Sequence, residues 1–411
     1  MSTPAVVPTD RLEVPRWRVG HGGGFWVVAA ALAVSVAFST LPTPLYGLYE
    51  QRDGFGPPMI TVVFVAYALG VIASLYLVGH ISDWVGRRRM IIAATLTEAL
   101  AAVLFLTWPE VPGLLLARLV SGVGIGALTA TATAHLSELR LIARPSEDQG
   151  RSSLISTMVN YGGFSIGPLV GGLLVSYARA PLTTPYLLFL ALLLLSALAV
   201  ALVPETVERP EQVPAYRPQR MSLPPASRST FYGAAIGAFA AFAINGLVLA
   251  LVPTLLHQDL HESSSLLAGL TAFAVIAVGV IAQYAFASVG IRGQLRIGLA
   301  AMVVGLVTLP VSVLTVHLWL FLLGGILAGV GVALFFRSSV ATAAGLAEWS
   351  NRGEVLAALF LAAYAGLVIP VLAVGIALIW VPSSVALLAF SVLELVLVSW
   401  SGHRTLSALR S

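Results

Sequence analysis

Four ionisable side chains interrupt long apolar stretches of this sequence: Glu98, Arg118, Arg337 and Glu394. A charge so placed is costly unless it meets a partner or water, so residues of this kind mark places where protons move or a charged group is held. Glu98 and Arg118 fall on successive apolar runs, about 9 Å apart in depth at 1.5 Å of helical rise per residue, which permits direct or water-bridged pairing. Two readings stay open. The acids either exchange protons or pack as neutral groups against their neighbours, and the arginines either take part in coupling or only reach toward the nearer interface. Tyr67, Asn160, Tyr161, Asn245, Gln283 and Tyr364 are hydrogen-bonding groups inside the same runs, and they either line an internal cavity or bond ordinarily between helices.

Other chemistries are excluded or weak. The chain has no cysteine, which removes disulfides, thiolate metal sites and thiol nucleophiles. The stretch HQDLHE, from His257 to Glu262, spaces two histidines four apart but lacks the H-E-x-x-H order and a nearby third ligand, so it reads as a solvated loop and no metal is expected. There is no Walker loop and no nucleophile–base set, so neither a cofactor nor an enzyme is expected. The pI near 9.6 does not point to nucleic acid, because the chain contains no lysine and its arginines sit in short polar segments between apolar runs, where positive charge encodes topology.

The elements that must hold these residues are membrane helices. Of the 411 residues, 58% are hydrophobic and 10% charged, with a mean hydropathy of +0.94, against roughly 25% charged in a soluble domain. The apolar runs are continuous and long enough to cross a core of about 30 Å as helices, which excludes a barrel. The spacing predicts spans at 25–47, 59–79, 90–108, 112–135, 152–177, 185–203, 230–256, 264–287, 296–315, 318–342, 354–379 and 381–400. An amino-terminal segment 1–24 precedes a six-helix bundle 25–203. A proline- and arginine-rich linker 204–229 joins it to a second bundle 230–400 and a tail 401–411. With the amino terminus inside, every arginine outside the spans is inside except Arg52 and Arg179, so both termini are expected to be cytoplasmic in a multi-pass inner or plasma membrane protein. The halves echo each other: Gly150, Tyr161 and Gly163 match Gly353, Tyr364 and Gly366 in offset, and Gly122, Gly124 and Gly126 have counterparts in Gly325, Gly329 and Gly331.

Four stretches carry a resemblance. The loop GHISDWVGRRRM places Gly79, Asp83, Gly86, Arg87 and Arg88 at the spacing of G-x-x-x-D-[RK]-x-G-[RK]-[RK], the signature loop of the major facilitator superfamily, with Trp84 where that family has a basic residue. Glycines allow a tight turn, and an acid with several guanidinium groups can bond helix ends in one conformation only, which makes the loop a latch. Arg118 followed by Gly122, Gly124 and Gly126 resembles the family's R-x-x-x-G-x-G motif, whose arginine the family ties to proton handling. Gly163, Gly167, Pro168, Gly171 and Gly172 match the antiporter motif G-x-x-x-G-P-x-x-G-G completely. Glycines at i, i+4 and i+8 leave a smooth face for another helix, and Pro168 frees one backbone carbonyl there. Pro42 and Pro44, near the end of the first span, resemble the proline pair of the twelve-helix drug/proton antiporters with a different spacing.

The resemblance implies an all-α fold of twelve transmembrane helices in two six-helix bundles, working by alternating access. The function it implies is proton-coupled export of a small amphipathic or toxic compound, with Arg118 and Glu98 in coupling and the Asp83 loop as latch. The partners expected are a small-molecule substrate, protons and the lipid bilayer, with the chain a monomer. An uptake symporter or facilitator for a sugar or metabolite, and a non-transporting sensor or scaffold, are the alternatives.

Overall fold

A computed structural model describes residues 19–78, 81–145, 149–207, 225–346 and 352–408, with backbone alone at 57, 83, 149–154, 156–157, 225–226 and 352–354. The described chain is helical and contains no strand. In lipid, every backbone donor and acceptor must be satisfied within the segment, and a helix is the form in which a continuous apolar run can do so. The helices are α1 His21–Thr40, α2 Tyr46–Asp53, α3 Pro57–Val78, α4 Ser82–Val85, α5 Arg87–Thr107, α6 Val111–Ala143, α7 Gln149–Tyr177 and α8 Thr184–Ala201. They continue as α9 Pro225–Gln258, α10 Ser265–Ala285, α11 Ile291–Leu314, α12 Leu318–Leu346, α13 Arg352–Ala377 and α14 Ser383–Ala408. Among the described residues, twelve segments are long and apolar enough to span, with α1 and α2 forming one of them.

Several boundaries differ from the sequence-based ones, for one reason. Hydropathy finds the part of a helix that lies in lipid, whereas intrahelical hydrogen bonds carry the helix on into water. Thus α6 runs to Ala143 rather than ending near 135, α9 begins at Pro225 inside the expected linker, α14 continues to Ala408 through most of the expected tail, and α1 starts at His21. Pro42 and Pro44 interrupt the first span. They do not end it; the helix breaks after Thr40, passes through a 3-10 turn at Thr43–Leu45, and resumes as α2 until Gly54, whose φ of 71° closes it. Pro42 and Pro44 supply no N–H, so carbonyls in the last turn of α1 are left without helical partners.

The duplication read from the sequence reappears as packing. In the first half, α6 is wedged between α3 and α5; in the second, α12 is wedged between α10 and α11. A β-carbon on Gly126 would lie 2.7 Å from the Val71 carbonyl oxygen of α3, and one on Gly124 would lie 2.7 Å from Glu98 Oε1 of α5. Likewise, a β-carbon on Gly325 would meet Val275 of α10 at 2.9 Å, and one on Gly331 would meet the Met302 amide of α11 at 2.6 Å. Gly163 abuts α1 as Gly366 abuts α9. With lipid as apolar as the helices themselves, association rests on such close backbone approach.

Replacing Gly331 by valine should therefore overpack the α11–α12 contact and lower stability by about 1–3 kcal/mol, read as a lower thermal midpoint in detergent. Gly345→Ala, where a β-carbon meets nothing within 4 Å, should leave the midpoint unchanged or raise it. Equal midpoints for the two variants would contradict the packing account.

Candidate functional site

Chain direction puts the start of α1, the α4 loop, the end of α8 and the end of α14 on one side, here called the arginine-rich face. On that face the signature loop is held by acids that the motif does not contain. Gly86 joins α4 to α5 with φ 105°, a backbone conformation that favours glycine, and a β-carbon there would strike Glu205 Oε2 at 2.6 Å. The absence of a side chain lets the Glu205 carboxylate reach the first turn of α5. It accepts from the Arg87 N–H at 2.9 Å and the Arg88 N–H at 3.2 Å, satisfying donors that a helix start leaves free.

The arginine side chains extend the network. Arg87 donates from Nη1 to Ser82 Oγ at 2.6 Å and from Nη2 to Glu138 Oε1 at 3.1 Å, and Arg88 Nη1 donates to the Val203 carbonyl at 3.1 Å. The Thr206 hydroxyl donates to Glu138 Oε2 at 2.5 Å. Its one hydrogen is thereby used, so His135 Nδ1, at 2.9 Å from Thr206 Oγ1, is the donor of that bond. Sequence reasoning missed His135, Glu138, Glu205 and Thr206. The available signal was the scarcity of acids on an arginine-rich face: any acid there has a cation to meet. Gly79 and the Asp83 side chain lie outside the described residues.

Arg118 is 2% exposed. Its Nη1 donates to the Ser39 carbonyl at 2.6 Å, next to the break in α1. Its guanidinium stands 4.4 Å from the Tyr67 ring centre and 5.8 Å from that of Phe64. A helix carbonyl end and two ring faces are electron-rich partners for a desolvated cation. The expected pairing with Glu98 is not formed as an ion pair. Glu98, fully buried on α5, accepts from Ser121 Oγ at 3.0 Å, while its Oε1 has no partner. Ser121 lies one turn from Arg118 on α6, so α6 itself separates the guanidinium, turned to α1 and α3, from the carboxyl group on α5. Glu394 is also fully buried, and neither of its carboxyl oxygens has a partner.

The antiporter segment of α7 has two working faces. Gly163 packs on Val36, Gly167 on the Ala37 carbonyl and Thr40, and Gly171 on Leu41, where an added β-carbon would lie 2.7 Å from the Leu41 carbonyl oxygen, all in the first span. Thr40 Oγ1 also donates to the Phe164 carbonyl at 3.1 Å. Gly172 and Pro168 turn to the other bundle: a β-carbon on Gly172 would meet the Ser265 carbonyl of α10 at 2.8 Å, and Gly269 of α10 lies on the Pro168 carbonyl. With Gly375 of α13 against Thr61 of α3, these contacts close the bundles on the side opposite the arginine-rich face.

Between the bundles, Tyr67, Tyr161 and Asn245 line a cavity with Phe164, Phe242 and Ile276. Its volume is about 20 Å³, room for a water molecule and far below the roughly 300 Å³ of a ligand site; the bundles must separate before a compound fits. Of the other cavity candidates, Tyr364 sets its ring edge-on to Phe242 at 5.5 Å, Gln283 is buried on α10 with Nε2 3.5 Å from the Ala333 carbonyl, and Asn160 is half-buried. None of these three lines the cavity. The described residues hold no cluster of metal ligands, and His257 ends α9 rather than sitting in a loop. For the capped loop, Glu205→Ala should lower stability by about 1–2 kcal/mol, and Gly86→Ala by about 1–3 kcal/mol, both read as thermal midpoints; unchanged midpoints would contradict the capping geometry.

A family model described as Major Facilitator Superfamily matches residues 25–370. The "Putative multidrug resistance protein MdtD" of Escherichia coli O6:K15:H31 is 29% identical over 170 residues, covering 41% of this chain and 34% of the relative. Its counterpart in Escherichia fergusonii is 28% identical over the same length. The chain thus spans about a third of the length of these curated relatives. Among solved structures, the human organic anion transporter MFSD10 (TETRAN) superposes with a TM-score of 0.69 at 18% identity, over 93% of this chain and 100% of that one. A mutant of the nucleoside transporter NupG gives 0.64 at 12% identity, over 94% and 99%. With the family model covering most of its length and the helical fold shared with these structures, this chain belongs to the Major Facilitator Superfamily.

Proposed function

We propose that the chain is a proton-coupled exporter of small amphipathic compounds, set in the cell membrane with its arginine-rich face toward the cytoplasm. The observation that carries this reading is the two-faced packing of α7. The segment Gly163 to Gly172 matches the antiporter motif, and it joins the first span to the bundle closure against α10. A helix smooth on both sides can slide and reseal with little side-chain rearrangement. The MdtD relatives, named for multidrug resistance, support export over uptake; the nucleoside transporter name of one structural neighbour keeps uptake as the second reading.

In this reading Arg118 holds the broken end of α1 in one state, and Glu98, a buried carboxyl group with a hydroxyl donor and no ion pair, exchanges the proton. Asp83 and Arg87 latch the cytoplasmic gate. One proton moving inward down 100 mV supplies about 2.3 kcal/mol, enough for a substrate gradient of tens of fold.

Cells making the protein should retain less of at least one dye or drug in a toxic-compound panel than cells lacking it, and a protonophore should abolish the difference. Greater retention would favour uptake, and indifference to protonophore would remove proton coupling. Glu98→Gln should flatten the pH dependence of transport, an unchanged profile returning Glu98 to a packing role. Asp83→Asn should slow cycling several-fold while substrate affinity holds; full activity would refute the latch.

A further inference from the structure

Arg337 takes no part in the sites above. It stands on α12 one residue after Phe336, whose ring faces Phe242 at 4.9 Å and, across the bundle boundary, Tyr161 at 6.3 Å. The residues from Gly331 to Phe336 are all buried, and Arg337 is half-buried. Its Nη1 donates to the Gln283 carbonyl of α10 at 2.8 Å. It forms no ion pair among the described residues and, unlike Arg118, lies over no aromatic ring. On α10, Ile276 lines the central cavity. Gln283 lies two turns further along the same face, about 10 Å nearer the arginine-rich side, with its Oε1 buried and unpartnered. Arg337, Ala341 and Ala344 follow one face of α12 at i, i+4 and i+7, and all three are partly exposed. That stripe leads from the guanidinium to the end of the helix, about 13 Å away.

Among the described residues this guanidinium meets no acid and no ring and has one of its five donors engaged, so its countercharge is still to find. Its planar fork fits a carboxylate or sulfonate through two parallel bonds, and the aromatic residues deeper toward the central cavity, Phe336, Phe242 and Tyr161, fit a flat apolar body. We infer that Arg337 is the anchor for an anionic group on the transported compound, so that aromatic acids belong to the substrate class. The inference rests on the transport reading. The acid would enter from the arginine-rich face and meet Arg337 before the central cavity.

The test is ligand-dependent thermal stabilisation of the purified full chain by 2-naphthoate and by its neutral isostere 2-naphthamide, with phosphatidylglycerol and phosphatidylcholine as separate arms. Naphthoate should stabilise the wild type at lower concentration than naphthamide. Arg337→Gln should weaken naphthoate about tenfold or more and leave naphthamide unchanged, and Arg337→Lys, which keeps the charge without the fork, should fall between. Should the glutamine variant fail to fold, the lysine variant supplies the same comparison. Equal naphthoate binding with and without Arg337, no preference for the acid in the wild type, or a response confined to the anionic lipid would overturn the inference. Flux of naphthoate into liposomes under a pH gradient separates the two readings. Arg337-dependent binding without flux contradicts export alone, and flux of naphthamide with no preference for the acid contradicts this inference alone.

Discussion

The close approach of backbones at glycine is the interaction on which the rest of this structure depends. Inside a bilayer there is no water to expel between helices, so the association of twelve spans rests on dispersion and on how near two helices can come. Gly122 and Gly126 seat α6 on α3, Gly325 and Gly329 seat α12 on α10, and Gly167 with Gly171 seats α7 on the broken first span. Each contact fixes one helix against another without interlocking side chains. The same contacts place Arg118 beside the Ser39 carbonyl and Glu98 beside Ser121.

Charge is then placed where this scaffold leaves a partner for it. On the arginine-rich face, Gly86 opens the start of α5 to Glu205, and Arg87 bridges Ser82 and Glu138. These bonds tie the loop to the ends of α6 and α8 within one bundle. Deeper in the membrane, Arg118 meets a carbonyl and two rings instead of an acid, with its Nε left without a partner. The Ser39 carbonyl that it meets lies in the last turn of α1, beside the break at Pro42 and Pro44, where helix carbonyls lack following donors.

Much of this was legible in the residues. Continuous apolar runs fixed the number of spans, since each must satisfy its own backbone in lipid, and glycine spacing pointed to the faces of α6, α7, α12 and α13 that meet other helices. What was not legible depended on tertiary geometry. The extensions of α6, α9 and α14 into water carry no hydropathy signal. Pairing of Glu98 with Arg118 followed from their depth along the membrane, but depth says nothing of azimuth, and α6 stands between them. Glu205 and Glu138 lie far from the signature loop in sequence, and their bonds to it appear only when α6 and α8 pack beside α5. Asn160, Gln283 and Tyr364 are polar groups inside spans like the cavity-lining ones, and only their depth and direction in the packed bundles keep them from the cavity.

Export as proposed requires the two bundles to alternate about the contact between α7 and α10. Because the chain has no native cysteine, spin labels can be placed without background at Tyr177→Cys and Ser263→Cys on the closed side, and at Ser137→Cys and Gly345→Cys on the arginine-rich side. Double electron–electron resonance in lipid, with and without a transported compound at several pH values, should give two distance populations at each pair that exchange in opposite senses, the first lengthening as the second shortens. A single unchanging distance at both pairs under every condition would contradict it.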